Sequence, residues 1–188
     1  MQRDYPENER RETNIPNLGQ TVPADSPYTN DEWLMLLETP VKIGRAMMAV
    51  SPSGAIGTTQ ELVSLRKSYQ DAFQNVTNPI LLSMRKHLQD KDSLETLWED
   101  AGYAFGDRWD AANVRQAAIT ACQQAVALLK KLPAQDAQIY RDFLYGTALK
   151  VAQAAKEGGV LGVGGVAVSP EEKSLLNDIS QALGLRQS

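Results

Sequence analysis

From Thr29 onward, apolar residues recur at intervals of three and four, and glycine, proline and hydroxyl residues divide the pattern into seven helical segments. The first opens at Thr29-x-x-Glu32, a capping box in which the hydroxyl accepts from a first-turn amide and the carboxylate reaches back. It carries Trp33, Leu36, Leu37, Val41, Ile43, Met47 and Val50, and Pro40 is expected to kink it or end a first section near Thr39. Ser51-Pro52-Ser53-Gly54 breaks the pattern. A second helix is expected from a cap at Thr58 or Thr59 to about Asn75, with Leu62, Leu65, Tyr69 and Phe73 apolar. Asn78 followed by Pro79 opens a third helix to about residue 89, and Asp92-x-x-Glu95 opens a fourth. Asp107 caps a long fifth, to about residue 132. Its Val114, Ala117, Ala118, Ala121, Cys122, Ala125, Leu128 and Leu129 form an alanine-rich stripe that allows close approach and marks it as the expected central helix. A sixth runs over about 134–156, with Ile139, Tyr140, Phe143, Leu144, Val151 and Ala155 on one stripe, and ends at Gly158-Gly159. The seventh has Ser169 as cap, Pro170 in its first turn, and Leu175, Leu176, Ile179 and Leu183 facing inward.

An imperfect repeat overlies this pattern. Leu36-Leu37-x-Thr39-x-Val41-Lys42-Ile43-x-x-Ala46 returns 108 residues later as Leu144-Tyr145-x-Thr147-x-Leu149-Lys150-Val151-x-x-Ala154. Each copy is followed by a glycine-containing loop and a helix start, Thr58-Thr59-Gln60-Glu61 and Ser169-Pro170-Glu171-Glu172, so the second loop is three residues longer. The expected fold is therefore all-α, a single compact bundle of about seven helices built around a duplicated helix–loop–helix unit, with the first and last helix pairs related by a pseudo-twofold axis.

Composition narrows the setting. A chain of 188 residues with 43% hydrophobic content suits one domain. Residues 1–28 carry no apolar period and read as an extended or disordered tail, leaving residues 29–188 as the helical domain. A net charge of -4 and a pI near 5.1 exclude a basic nucleic-acid footprint. The basic clusters Arg66-Lys67, Arg85-Lys86-His87 and Lys130-Lys131 read as solvated faces. The single cysteine, Cys122, sits among small apolar residues and reads as core; it permits no internal disulfide. There is neither a signal-peptide pattern at the N-terminus nor a run of ~20 apolar residues. A cytoplasmic location follows as the default.

Candidate chemistry is sparse. The loop 158–168 lacks the Gly-Lys-Ser/Thr of a phosphate loop and follows a helix rather than a strand. Its apolar residues either pack on the core or meet a protein partner or membrane surface, with Val160, Leu161 and Val163 the candidate contacts. Glu99, Asp100, Asp107 and Asp110, among aromatic residues, have the oxygen ligands a hard cation prefers but not calcium-loop spacing. The only histidine, His87, lies in Met84-Arg85-Lys86-His87 with no nucleophile motif beside it. Lys42 and Lys150 hold equivalent repeat positions, where they either line a symmetric groove or snorkel to solvent.

The two helix starts, Ser53-Gly54-Ala55-Ile56-x-Thr58-x-x-Glu61 and Gly164-Gly165-Val166-Ala167-x-Ser169-x-x-Glu172, resemble the repeated Ala-Asp-Gly-x-Ile-Ser-x-x-Glu unit of the TerB-like tellurite-resistance family. That resemblance implies a duplicated all-helical domain tied to metal and membrane-associated stress responses, with Glu61 and Glu172 at the acidic helix position as candidate metal ligands. Ser53 and Gly164 stand where the unit is acidic, and both glutamates also have the spacing of capping boxes. Two functions stay open. One is a non-enzymatic cytoplasmic interaction domain that contacts a protein partner or membrane surface, with no cofactor. The other is a metal- or small-molecule-binding domain with its site between the repeats.

Overall fold

The computed structural model of the chain describes residues 22, 26–51, 54–74, 76–87, 111–154 and 168–185. They form six helices and, among the described residues, no strand: α1 (Asn30–Val50), α2 (Gly54–Ala72), α3 (Pro79–His87), α4 (Ala111–Leu129), α5 (Ala134–Ala154) and α6 (Pro170–Ala182). The helix expected at Asp92 lies outside the described residues.

The capping box forms as expected at the start of α1. Glu32 N donates to Thr29 Oγ1 at 3.3 Å and Thr29 N donates to Glu32 Oε2 at 2.9 Å. The same carboxylate accepts from Lys131 Nζ at 2.6 Å, which also donates to Pro27 O and lies over the Tyr28 ring. Lys131 is thus no simple solvated charge, because it fastens the end of α4 to the start of α1. Tyr28 is buried, and Val22 packs against the same core, so both residues belong to the folded body although their stretch of sequence reads as tail.

Pro40 does not end α1, which runs unbroken across it. A proline removes the amide that would bond the carbonyl four residues back, here Leu36 O. Tyr140 of α5 replaces that amide, its buried phenol donating to Leu36 O at 2.6 Å. The helix break legible in the sequence is repaired by a hydrogen bond from 104 residues away.

The second correction concerns α2, which begins at Gly54 rather than at Thr58 or Thr59. Cap preference is worth about 1 kcal/mol, and opening four residues earlier adds a further turn of backbone bonds to a helix held against α5 and α1. Glu61 consequently sits in the third turn, away from any capping position. The third helix start is as expected, since Asn78 Oδ1 accepts from Ile80 N and Leu81 N at 3.1 Å each and Pro79 takes the first helical position. Ser169 and Glu172 form a reciprocal box at α6.

The hub of the bundle is α1 and not α4. It packs against α2, α4, α5 and α6, and buries Leu36, Leu37, Ile43 and Met47 completely. α4 contributes its small-residue stripe to that interface, with Ala118, Cys122 and Ala125 fully buried. Burial pushes the Cys122 thiol up to about 12, consistent with packing rather than reactivity. α4 is pinned to α6 by Arg115, which donates to Asp178 and, at 2.8 Å, to Ser174 Oγ. Gly44 lets α2 approach α1, since a Cβ there would lie 2.8 Å from Leu65 Cδ2.

Candidate functional site: a groove between α2 and α5

The end of α2, the turn to α3 and the outer face of α5 enclose an open groove of about 460 Å³. Ile139, Phe143 and Gly146 come from α5, one helical turn apart, and face Ala72, Val76 and Leu81 across it. Ile139 and Phe143 belong to the apolar stripe of α5, yet they are only partly buried, whereas Tyr140, Leu144 and Val151 on the same stripe are fully buried. The stripe is therefore wider than the core it serves, and its edge forms the groove wall. Phe143 is held by an edge-on contact with Tyr69 at 5.6 Å and a tilted contact with Tyr140 at 5.9 Å.

Gly146 stands in the groove wall without a packing reason. Glycine in a helix interior costs about 1 kcal/mol relative to alanine, and Gly44 has its reason in the close approach of Leu65. Gly146 has no such reason, because a Cβ built there meets nothing within 4 Å. It opens onto groove space. In the repeat register, position 146 corresponds to Glu38, which pairs with Lys42 one turn on at 2.7 Å. With glycine at 146, Lys150 lacks that partner on its own helix and spans to Asp71 of α2, also at 2.7 Å. The two equivalent lysines are thus used differently: Lys42 lies along α1, while Lys150 lines the groove.

The polar groups at the groove are distinctive. Ser68 is buried, and its Oγ has no hydrogen-bond partner among the described residues. Asp142 lies at the rim, where Oδ1 accepts from Gln138 Nε2 at 2.8 Å. Asp71 is held below the usual carboxylate range, first by the hydrogen bond from Lys150 and then by the charges of Lys150 and Lys67. The α3 amides that would otherwise attract an anion are occupied by Asn78.

The residues singled out from sequence fall elsewhere. Val160, Leu161 and Val163 lie outside the described residues, as do Glu99, Asp100, Asp107 and Asp110. The side chains of Glu61 and His87 are likewise outside the described set. Glu172 is buried, its Oε2 accepts from Ser169 N at 2.7 Å, and its Oε1 has no hydrogen-bond partner among the described residues. Among the described residues no group of three or more His, Cys, Asp or Glu could hold a metal ion. The groove itself was missed. Its signal was a glycine inside a helix, Gly146, at the register position of a charged residue.

Comparison with protein-family models, with curated proteins and with solved structures finds no match to this chain. Among the described residues, no helix is long and apolar enough to cross a membrane.

Proposed function

We propose that this is a non-enzymatic, cytoplasmic ligand-binding domain of TerB-like duplicated design, which takes a small molecule in the groove between α2 and α5. Those helices belong to different repeats, so the site lies between the two units. Support for the duplicated design comes from matching detail: Leu36 and Leu144 are fully buried, and Thr39 and Thr147 each donate a hydroxyl to the carbonyl four residues back, at 2.7 and 2.9 Å. The single observation that carries the ligand reading is Gly146, a helix-interior glycine that lines a groove of about 460 Å³ and whose absent side chain would meet nothing but groove space. That volume falls within the range of small-molecule sites, about 300–1,000 Å³.

The test is a screen of small organic fragments against the isotopically labelled protein, read by amide chemical shifts. Binding should perturb Val76, Thr77, Ile139 and Gly146 together and vanish in Gly146→Leu. Hits that cluster elsewhere, or that survive Gly146→Leu unchanged, would refute the groove.

A further inference from the structure

The geometry points to an organic cation as the occupant: a protonated amine carrying an apolar, preferably aromatic, body. This rests on the groove being a ligand site and adds the chemical class. The charged residues lining the groove are Asp71, Asp142 and Lys150, two carboxylates against one ammonium. Lys150 is already committed to Asp71 at 2.7 Å. Asp142 faces no cation among its described partners and accepts only from the neutral Gln138 amide. Lys67, one turn before Asp71 on α2, also acts on Asp71 through its charge, so the negative charge still open to a ligand is that of Asp142. An anion would find no free donor at the α3 N-terminus, because Asn78 fills Ile80 N and Leu81 N and Pro79 has no N–H. The rest of the wall suits the body of such a ligand. Phe143 offers a ring to a cation or an aromatic partner, and Ile139, Val76 and Leu81 offer apolar surface.

Lys150 then acts as a stand-in for the ligand. Its ammonium occupies Asp71 when the groove is empty, and a ligand ammonium that reaches Asp71 must displace it. This makes the sign of one substitution diagnostic. Lys150→Met removes the competitor and leaves Asp71 free, so it tightens binding of a cation and weakens binding of an anion.

The experiment titrates the full chain at neutral pH with phenethylamine, 3-phenylpropionate and phenethyl alcohol, read by amide chemical shifts of Val76, Thr77, Ile139 and Gly146. Phenethylamine should bind with an affinity about fivefold or more above that of the carboxylate, as one attraction and one repulsion of exposed-pair size require. Lys150→Met should tighten it about threefold and Asp142→Asn weaken it about threefold. Gly146→Leu should abolish binding while melting at or above the temperature of the parent, which shows the block to be local. Tighter binding of the carboxylate, or weaker amine binding in Lys150→Met, overturns the cation assignment and leaves the groove standing if Gly146→Leu still blocks. Saturable binding of none of the three probes overturns both.

Discussion

Removing the Tyr140 hydroxyl should destabilise the protein chiefly because it strands a carbonyl on a different helix. In Tyr140→Phe the ring and its packing remain, but Leu36 O, which Pro40 has deprived of its helical amide, loses the phenol that donates to it at 2.6 Å. A buried acceptor left without a partner costs about 1–3 kcal/mol, so a loss of about 2 kcal/mol is expected, or about 4–8 °C in melting temperature for a chain of this size. The cause can be isolated with Pro40→Ala. Alanine restores the N–H that bonds Leu36 O, at the expense of the ring that Pro40 buries in the core, so this variant should lie within about 1 kcal/mol of the parent. In the Pro40→Ala background the carbonyl is satisfied within α1, and Tyr140→Phe should cost only about 0.5–1 kcal/mol, the net worth of one ordinary hydrogen bond. The double-mutant cycle should therefore show a coupling of about 1–1.5 kcal/mol, measured by urea unfolding followed by circular dichroism. Equal costs in the two backgrounds, within the ~0.3–0.5 kcal/mol scatter of independent sites, would show that Tyr140 acts through packing alone and would refute the repair of the proline.

The two helix-interior glycines should respond oppositely to alanine: Gly146→Ala should stabilise by about 0.5–1 kcal/mol, whereas Gly44→Ala should destabilise by about 1 kcal/mol once the forced shift of Leu65 is set against helix propensity. Thermal melting decides both signs. Burial pushes the Tyr28 phenol up to about 12 and holds Tyr69 and Tyr140 well above 10. Because their folded values are raised, the stability they contribute is intact below pH 10 and is lost as pH climbs through the folded values. Tyrosinate absorbance should therefore show these three ionising together with cooperative unfolding, and separate, earlier titration of Tyr69 or Tyr140 would contradict their burial. At the acid end, Glu32 is held below its ordinary 4.5 first by the Lys131 hydrogen bond and Asp71 below 3.8 first by that of Lys150. Depressed values mean stability present above those figures and lost as pH falls past them, so the urea midpoint should begin to drop near pH 4.5 and drop less steeply in Lys131→Met.

Three helix starts among the described residues were legible in the sequence from local signals. The boxes Thr29–Glu32 and Ser169–Glu172 and the Asn78-Pro79 start are interactions between residues two or three apart, and all three form. The misread start of α2 and the unbroken course of α1 through Pro40 both depend on partners distant in sequence. Nothing near Pro40 announces that Tyr140 will supply a donor, and the cap signal at Thr58 is overridden within a helix packed along α5. The choice of hub failed for a related reason. The alanine stripe of α4 identifies a helix that can be approached closely, but α1, whose large side chains fill the space between several neighbours, is what the others approach. The groove is harder still to read, because its walls come from the margins of apolar stripes. Periodicity assigns Ile139 and Phe143 to the core, and only packing shows that α2 and α3 leave them partly uncovered.

The repeated segments bear on function through the positions at which they differ. Three of the positions where the copies agree, Leu36 and Leu144, Thr39 and Thr147, and Ile43 and Val151, are buried and serve packing, whereas the shared lysines Lys42 and Lys150 pair with different partners. Where they differ, the difference has a geometric result. Glu38 and Lys42 form a self-contained pair along α1, which consumes both charges on one helix face. With glycine at 146 the outer face of α5 carries no side chain at that position and Lys150 pairs with Asp71 of α2 instead of along its own helix. A purely structural requirement would favour alanine at 146, which fits and stabilises the helix. That a glycine stands there, beside a buried serine with no partner among the described residues and a carboxylate with only an amide for company, is the pattern expected of a surface shaped for a ligand.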